Sequence, residues 1–196
     1  MYDDTNYISI DSLKDLLKAR LDYYSKNKTF NLLFKKQYLY QNNPLVTIEL
    51  DNGKTLEIEL YPSDAPNTVS NFIALIKNGF YKGKSFHRML ADNMIQGGQD
   101  LENTMKYLLP GEFATNGYEN TLMQTRATIS MVNFSSHPVS SPTEFFINVV
   151  DHPSLNGNFA PFGRVINGMD VIDEISRTKT DANASAINPV VIKNIT

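Results

Sequence analysis

The chain has 196 residues, of which 41% are hydrophobic and 20% are charged, and its formal net charge is −3. This composition is typical of a soluble globular protein with one main domain, whose core folds without a metal or a disulfide. The small net charge argues against nucleic acid as a partner, because that partner requires a concentrated basic face. The absence of cysteine excludes disulfides, thiolate catalysis and cysteine-based zinc sites.

The sequence predicts no membrane span, because no window approaches about 18 consecutive apolar residues. The first residues, MYDDTNYISI, carry acids where a signal peptide carries bases, and no apolar core follows them. This pattern predicts a cytoplasmic protein. An extracytoplasmic location is the alternative if a leader was removed.

Residues 1–43 are predicted to form a helical N-terminal extension. In SIDSLKDLLKARLDYY the apolar residues recur at the spacing of an amphipathic helix. These residues are Leu13, Leu16, Leu17, Leu21 and Tyr24. A second apolar set also has helical spacing, with a strand as the alternative: Phe30, Leu33, Phe34 and Tyr38. The extension is interpreted either as a helix packed on its own domain or as a docking or dimerisation element.

From Leu45 the hydrophobic pattern changes to a period of two residues. LVTIELDNGKTLEIELY alternates apolar and polar residues on both sides of a DNG turn, which predicts a β-hairpin. APNTVSNFIALIKNG then predicts a helix, with Asn67 or Thr68 as its N-cap and Gly79 just beyond its C-terminal end.

The rest of the chain alternates short strands with turns. The predicted strands are SFHRML, MIQGG, ATISMV, EFFINVV, FGRVI and VVIKNI, and GMDVIDEI is predicted to be a short helix. Together with the hairpin and the first helix, these elements predict a mainly β domain over residues 44–196. Eight short strands and two helices indicate a closed or nearly closed antiparallel barrel.

Most catalytic chemistries lack support in this sequence. The three histidines, His87, His137 and His152, show no metal-binding spacing, and His87 is interpreted as a structural residue within a strand. No nucleophile-elbow motif is present, and QGGQD lacks the lysine and the helix of a phosphate loop. We therefore expect neither hydrolysis nor phosphoryl transfer, and no metal or other cofactor.

What remains is Arg88 with Gln96, together with apolar residues that can face them: Met94, Phe146 and Leu155. A guanidinium is always charged and offers five donors, but it is a poor proton shuttle. Such a site suits a reaction that needs electrostatic stabilisation without proton transfer or a nucleophile. Rotation about an Xaa-Pro bond is of this kind, because its barrier of ~18–20 kcal/mol comes from amide resonance.

Several motifs resemble the cyclophilin-type peptidyl-prolyl isomerases in their bacterial form. They are FHRMLADNMIQGG, ISMVN, EFFINV, LNGNFAPFGRVINGMDVIDEI and NPVVIKNI. The resemblance runs from Leu45 to Ile195 and leaves residues 1–43 outside. It implies an eight-stranded antiparallel barrel capped by two helices. It also implies a prolyl isomerase that acts on proline-containing peptides and on unfolded or folding proteins, and we expect a monomer.

The resemblance also assigns roles to individual residues. It makes Arg88 the catalytic arginine that hydrogen-bonds the substrate around proline, and Gln96 the amide that orients the arginine and touches the substrate backbone. Asn133 matches an asparagine whose backbone binds the residue preceding proline, and Val132 is the small apolar residue beside it. The floor and wall of the proline pocket correspond to Met94, Phe146 and Leu155.

Four positions depart from the family pattern. Asn93 lies in the proline pocket where phenylalanine is usual, and Glu144 replaces a glutamine. Ser154 replaces a frequent aromatic residue, and Phe159 takes a position that often carries histidine or tyrosine. If Glu144 lies close to Arg88, we expect it either to orient the guanidinium or to neutralise its field. The partly polar pocket leaves an alternative function, a proline-peptide binding module or chaperone with little or no catalysis.

Overall fold

The structure is a computed structural model that describes residues 19–24, 29–34, 42–102, 104, 107–133 and 139–196. Two strands come first, β1 Ala19–Tyr24 and β2 Thr29–Phe34. The strands of the main domain are β3 Leu45–Leu50, β4 Thr55–Leu60, β5 Ser85–Leu90, β6 Met94–Gly97, β7 Leu109–Pro110, β8 Thr128–Asn133, β9 Val139–Asn148, β10 Ala160–Asn167 and β11 Ser185–Ile195. The helices are α1 Pro66–Lys77 and α2 Met169–Ser176, and single 3-10 turns lie at Ala114–Asn116 and Pro153–Leu155.

Eight of these strands close into an antiparallel barrel, in the order β6-β5-β11-β3-β4-β10-β8-β9. The ring closes because β9 pairs back onto β6. The two-residue strand β7 pairs with the start of β9. Closure pairs both sides of each ring strand with a neighbour, so the ring has no unpaired strand edge. The predicted barrel with two helices is confirmed.

The hairpin of β3 and β4 shows how the sequence pattern forms the core. Ile48 lies opposite Leu56 in the ladder, and both side chains are fully buried. Alternate residues of both strands point into the barrel, while their neighbours stay exposed or half-buried. At the turn, Gly53 adopts a φ of 82°, which glycine reaches without steric cost.

Each helix packs an apolar face against the barrel. Helix α1 buries Val69, Phe72 and Leu75, and helix α2 buries Val171, Ile172 and Ile175. Gly79 follows α1 with a φ of 72°, as the sequence predicts for the residue beyond a helix end. Neither helix in the described part of the chain has the length and apolar character that crossing a bilayer requires.

The predicted N-cap of α1 is wrong, because the cap comes from another segment. The helix begins at Pro66 with Ala65 before it, and no side chain caps it locally. The buried carboxylate of Glu112 accepts hydrogen bonds from the backbone N–H groups of Asn67 at 3.0 Å and Thr68 at 2.9 Å. It also accepts bonds from the side chains of the same two residues, at 2.9 and 2.7 Å. A carboxylate at this end also suits the helix dipole.

The predicted N-terminal helix is wrong over Ala19–Tyr24, which form strand β1. This strand pairs antiparallel with β2 in a two-stranded sheet of its own, and β2 lies beside helix α1. The strand alternative for Phe30, Leu33 and Phe34 is confirmed. The leucines before residue 19, and Tyr38, lie outside the described residues. A short apolar run fits both the helical period and the two-residue period of a strand. Here the partner strand pairs with the backbone N–H and C=O groups of the run, which favours the strand.

Candidate active site

The candidate site lies on the outer face of the barrel, where β5, β6 and β9 are neighbours. The strand register places Arg88 opposite Gln96, and Gln96 opposite Phe146. The adjacent residues Ile95 and Phe145 are fully buried in the core. Because side chains alternate along a strand, Gln96 and Phe146 point away from the barrel interior. The three predicted residues therefore form one row across three strands.

A β-bulge in β5 places Arg88 on this face. The pairing of β5 with β6 changes register between Phe86 and Arg88. Phe86 and Met89 are both buried in the core although three positions separate them, which a regular strand does not allow. The extra residue is His87, which is half-buried like Arg88. The bulge thus brings an imidazole and a guanidinium to the same part of the surface.

A chain of hydrogen bonds links Arg88 to Glu144. Arg88 Nη1 donates to Gln96 Oε1 at 3.4 Å, and Gln96 Nε2 donates to Glu144 Oε2 at 2.7 Å. An ionised carboxylate only accepts hydrogen bonds, so it selects the amide orientation that turns Gln96 Oε1 toward the guanidinium. Within the described residues Arg88 and Glu144 form no direct ion pair. Glu144 therefore reaches Arg88 through Gln96.

His87 is the other polar neighbour of Glu144. Its Nε2 lies 3.7 Å from Glu144 Oε2. Burial lowers the pKa of His87 below its ordinary value of 6.5, although the carboxylate of Glu144 acts in the opposite direction. The imidazole is therefore neutral at pH 7, and the contact is not an ion pair there.

Met94 contacts the guanidinium of Arg88, and Phe146 lies opposite Gln96 on the next strand. Met94 Sδ lies 3.9 Å from Arg88 Nη1. Phe146 is only 2% exposed, and its ring packs against Phe159 with centroids 5.2 Å apart and an interplanar angle of 82°. This edge-to-face contact is the favoured geometry for aromatic pairs. Leu155 ends the 3-10 turn between β9 and β10 and is half-buried.

Asn93 lies in the turn between β5 and β6, immediately before Met94. Its carbonyl accepts a hydrogen bond from the backbone N–H of Val149 at 2.8 Å and lies 3.2 Å from His152 Nε2. The backbone at Asn93 is therefore held by the segment that follows β9. The side chain itself is half-buried, and Ser154 is exposed.

The end of strand β8 extends the site face. Ser130 pairs with Phe146 on β9, and Val132 and Asn133 continue the same strand. Asn133 Nδ2 donates to the carbonyl of Asn158 at 2.5 Å, which ties the strand end to the segment that carries Phe159. Strands β5, β6, β8 and β9, the turn between β5 and β6 and the segment after β9 thus carry all ten residues that the sequence assigns to the site.

Sequence reasoning missed a buried polar cluster beside this face. Gln124 Oε1 accepts hydrogen bonds from Ser130 Oγ at 3.0 Å and from Asn148 Nδ2 at 2.9 Å. Its backbone N–H donates to Asn156 Oδ1 at 2.7 Å. The cluster joins β8 and β9 to the segment of Leu155. A lone glutamine in a polar loop has no periodic pattern that would single it out.

Comparisons with known proteins agree with this geometry. A family model described as "Cyclophilin type peptidyl-prolyl cis-trans isomerase/CLD" matches residues 45–196. A peptidyl-prolyl cis-trans isomerase of Acinetobacter baylyi is 41% identical over 143 residues, covering 70% of this chain and 74% of that protein. Peptidyl-prolyl cis-trans isomerase B of Escherichia coli is 36% identical over 144 residues, covering 69% and 86%.

A solved structure has the same architecture. The crystal structure of a cyclophilin-type peptidyl-prolyl cis-trans isomerase of Cryptosporidium parvum, determined in the presence of the dipeptide Ala-Pro, matches with a TM-score of 0.68 and 29% identity. The match covers 78% of this chain and 98% of that one.

Proposed function

Since this chain belongs to the cyclophilin-type peptidyl-prolyl cis-trans isomerase family and is an isomerase of that kind, we propose that Arg88 and Gln96 form its catalytic pair. The observation that carries the proposal is the hydrogen-bond chain from Arg88 through Gln96 to Glu144, beside an apolar surface. The residues proposed to contact the substrate around this pair are Met94, Phe146, Leu155, Asn133, Val132, Asn93, Glu144 and Phe159.

The proposed chemistry is the twisting of an amide bond. In the planar Xaa-Pro bond, resonance draws the lone pair of the proline nitrogen into the carbonyl. In the twisted transition state the nitrogen regains that lone pair and accepts a hydrogen bond. A guanidinium N–H of Arg88 aimed at the nitrogen stabilises the twisted state more than the planar one, which lowers the barrier. No side chain has to take up or release a proton.

Gln96 contributes by fixing the guanidinium. Its Oε1 accepts one Arg88 N–H, and the remaining donors stay available to the substrate because a guanidinium carries five. Both side chains are only half-exposed, so their hydrogen bonds compete less with water than at an open surface. A donor that is already oriented costs little reorganisation when the bond twists.

The apolar residues are proposed to hold the proline ring. Met94 precedes Gln96 by two residues on β6, and Phe146 lies opposite Gln96 on β9, so both side chains lie on the face of the catalytic pair. Burial of the pyrrolidine ring there excludes water from the reacting nitrogen. Asn93 offers less apolar surface than a phenylalanine, and we expect it to weaken ring binding. Asn133 and Val132 are proposed to bind the residue before proline.

Methyl NMR tests where the peptide binds. An Ala-Pro-containing peptide titrated into methyl-labelled protein is expected to shift the resonances of Met94 and Leu155. Leu45, which is 65% exposed on the distant strand β3, is the control and is expected not to shift. Shifts confined to Leu45 would contradict the proposed site. Shifts at Met94 without cis-trans exchange of the peptide would indicate a binding module without catalysis.

We also propose that residues 1–43 are a separate extension of an isomerase domain at 44–196, and that the protein is a monomer acting on unfolded or folding proteins. The sheet of β1 and β2 supports the division, because it does not join the barrel ladder. Deletion of residues 1–43 is expected to lower the free energy of unfolding and to leave the molecular mass that of a monomer. A change from a larger assembly to a monomer would instead indicate a dimerisation element.

A further inference from the structure

In the described part of the chain the carboxylate of Glu144 forms no direct ion pair with a lysine or an arginine, and Arg88 reaches it only through Gln96. Its contacts there are with Gln96 Nε2 at 2.7 Å and with His87 Nε2 at 3.7 Å. Gln96 is an uncharged amide, and His87 is neutral at pH 7 because burial lowers its pKa. The Glu144 side chain is 26% exposed, so a bound ligand can approach it.

Hydrogen bonds hold both the backbone and the side chain of Glu144 in place. The backbone N–H of Glu144 donates to Ser141 Oγ at 2.9 Å, which holds the start of this part of β9. Glu144 Oε2 is engaged by Gln96, whereas Oε1 forms no hydrogen bond with any residue that the structure describes. As far as the described residues go, one oxygen of this anchored carboxylate is therefore left for a donor on a bound peptide.

Glu144 also lies at a useful distance from the proposed proline pocket. It precedes Phe146 by two residues on β9, so both side chains lie on the same outer face. Two strand residues span about 7 Å, which is also the length of two residues of an extended peptide. A peptide whose proline packs on Phe146 therefore carries a neighbouring side chain within reach of Glu144.

We propose that Glu144 is a specificity-determining residue that makes this isomerase prefer substrates with lysine or arginine within two residues of the proline, and disfavour aspartate or glutamate there. This inference rests on the proposed function, because it assumes that the proline binds at Phe146. The titratable and charged groups that face Glu144 are the neutral His87 and the cationic Arg88 on β5, while β6 contributes the uncharged Gln96. In the proposed complex Arg88 donates to the prolyl bond. The substrate side chain near the proline therefore contacts the carboxylate of Glu144.

The expected preference is moderate, because the carboxylate is partly exposed to solvent. Charge pairs of this kind change an equilibrium by about two- to fivefold at low salt and by less at high salt. We expect kcat/KM for a peptide with lysine within two residues of proline to exceed that for its glutamate counterpart by this factor at about 50 mM salt.

The test uses a peptide series in which lysine, glutamine or glutamate occupies each of the two positions before and after proline. Cis-trans exchange and binding shifts are measured for the intact protein, for Glu144→Gln and for Glu119→Gln. Glu119→Gln removes the same charge at an exposed residue outside the site and is the matched control. The lysine-to-glutamate ratio is expected to fall to about one in Glu144→Gln and to stay unchanged in Glu119→Gln.

Two results would overturn the inference: equal rates for lysine and glutamate peptides with intact protein, or a preference that survives in Glu144→Gln. Failure of the proposed function has a different signature, since no peptide of the series would then show accelerated exchange. In that event the ratio of dissociation constants for the lysine and glutamate peptides still decides the role of Glu144.

Discussion

Gln96 is held in a single orientation by Glu144, with the amide Nε2 2.7 Å from the carboxylate Oε2. The opposite end of the amide, Oε1, then faces Arg88 Nη1 at 3.4 Å. A glutamine at position 144 would accept or donate, whereas a carboxylate only accepts. This replacement within the family pattern therefore leaves Arg88, the proposed catalytic arginine, oriented and adds a charge beside it.

Replacement of Gln96 by leucine removes the acceptor that fixes Arg88. We expect kcat/KM of Gln96→Leu to fall by about ten- to a hundredfold, mainly through kcat, because a hydrogen bond to a charged group contributes about 1.5–3 kcal/mol. The thermal midpoint is expected to change little, since the side chain is half-exposed on the outer face. If kcat/KM fell only because KM rose, with kcat unchanged, the result would contradict an orienting role and indicate a simple binding contact.

Asn93→Phe is expected to strengthen peptide binding. The turn is held through the backbone carbonyl of Asn93, which accepts a hydrogen bond from Val149, and the substitution leaves that bond intact. Full burial of a phenylalanine side chain contributes about 1.5–3 kcal/mol, and we expect a peptide Kd lower by about tenfold. Titration followed by NMR measures it. An unchanged Kd would place Asn93 outside the proline pocket.

Glu112→Gln is expected to destabilise the fold. Both carboxylate oxygens accept two hydrogen bonds each from Asn67 and Thr68. A glutamine replaces one acceptor with a donor, so buried N–H or O–H groups lose their partner at about 1–3 kcal/mol each. Urea unfolding should show a loss of about 2 kcal/mol or more at unchanged m-value.

Glu119→Gln is the matched control for this substitution, because Glu119 is exposed. It removes the same charge and is expected to change the free energy of unfolding by less than about 0.5 kcal/mol. Equal effects of the two variants would mean that Glu112 stabilises through net charge and does not cap α1.

His87 is expected to make stability depend on pH. Burial holds its pKa below the ordinary value of 6.5, so the unfolded chain binds this proton at a higher pH than the folded protein does. Stability is therefore full above about pH 6.5, falls as the pH is lowered through this window, and levels off below the folded pKa. His87→Gln should show a shallower fall of the urea midpoint between about pH 7 and pH 5. Parallel curves for the two proteins would contradict the shifted pKa.

Much of this architecture was predictable from local patterns. The alternation around the DNG turn places Ile48 and Leu56 in the core, and a glycine after an apolar helix face marks the end of α1. Such features depend on residues close in sequence. The cap of α1 was not predictable in the same way, because Glu112 is 45 residues from Asn67.

In the candidate site, too, contacts between residues close in sequence were predictable, whereas contacts between distant residues were not. Arg88 and Gln96 are eight residues apart across one tight turn, and their pairing follows from two adjacent strands. Glu144 is 48 residues from Gln96 and meets it only because the barrel closes through the pairing of β6 with β9. Local sequence patterns therefore did not predict this hydrogen bond. Strand β1 was mispredicted as helix because its pairing with β2 outweighs the weak local preference of a short apolar run.

The most direct measurement of the central claim is cis-trans exchange in an Ala-Ala-Pro-Phe peptide at low temperature, with intact protein, Arg88→Ala and Arg164→Ala. Arg164 is exposed on β10, outside the site, and is the matched control. Fast exchange with intact protein and Arg164→Ala, reduced about 100-fold or more in Arg88→Ala, is the result expected for loss of an oriented transition-state donor. Equal exchange rates for intact protein and Arg88→Ala would contradict the assignment of Arg88 as the catalytic residue.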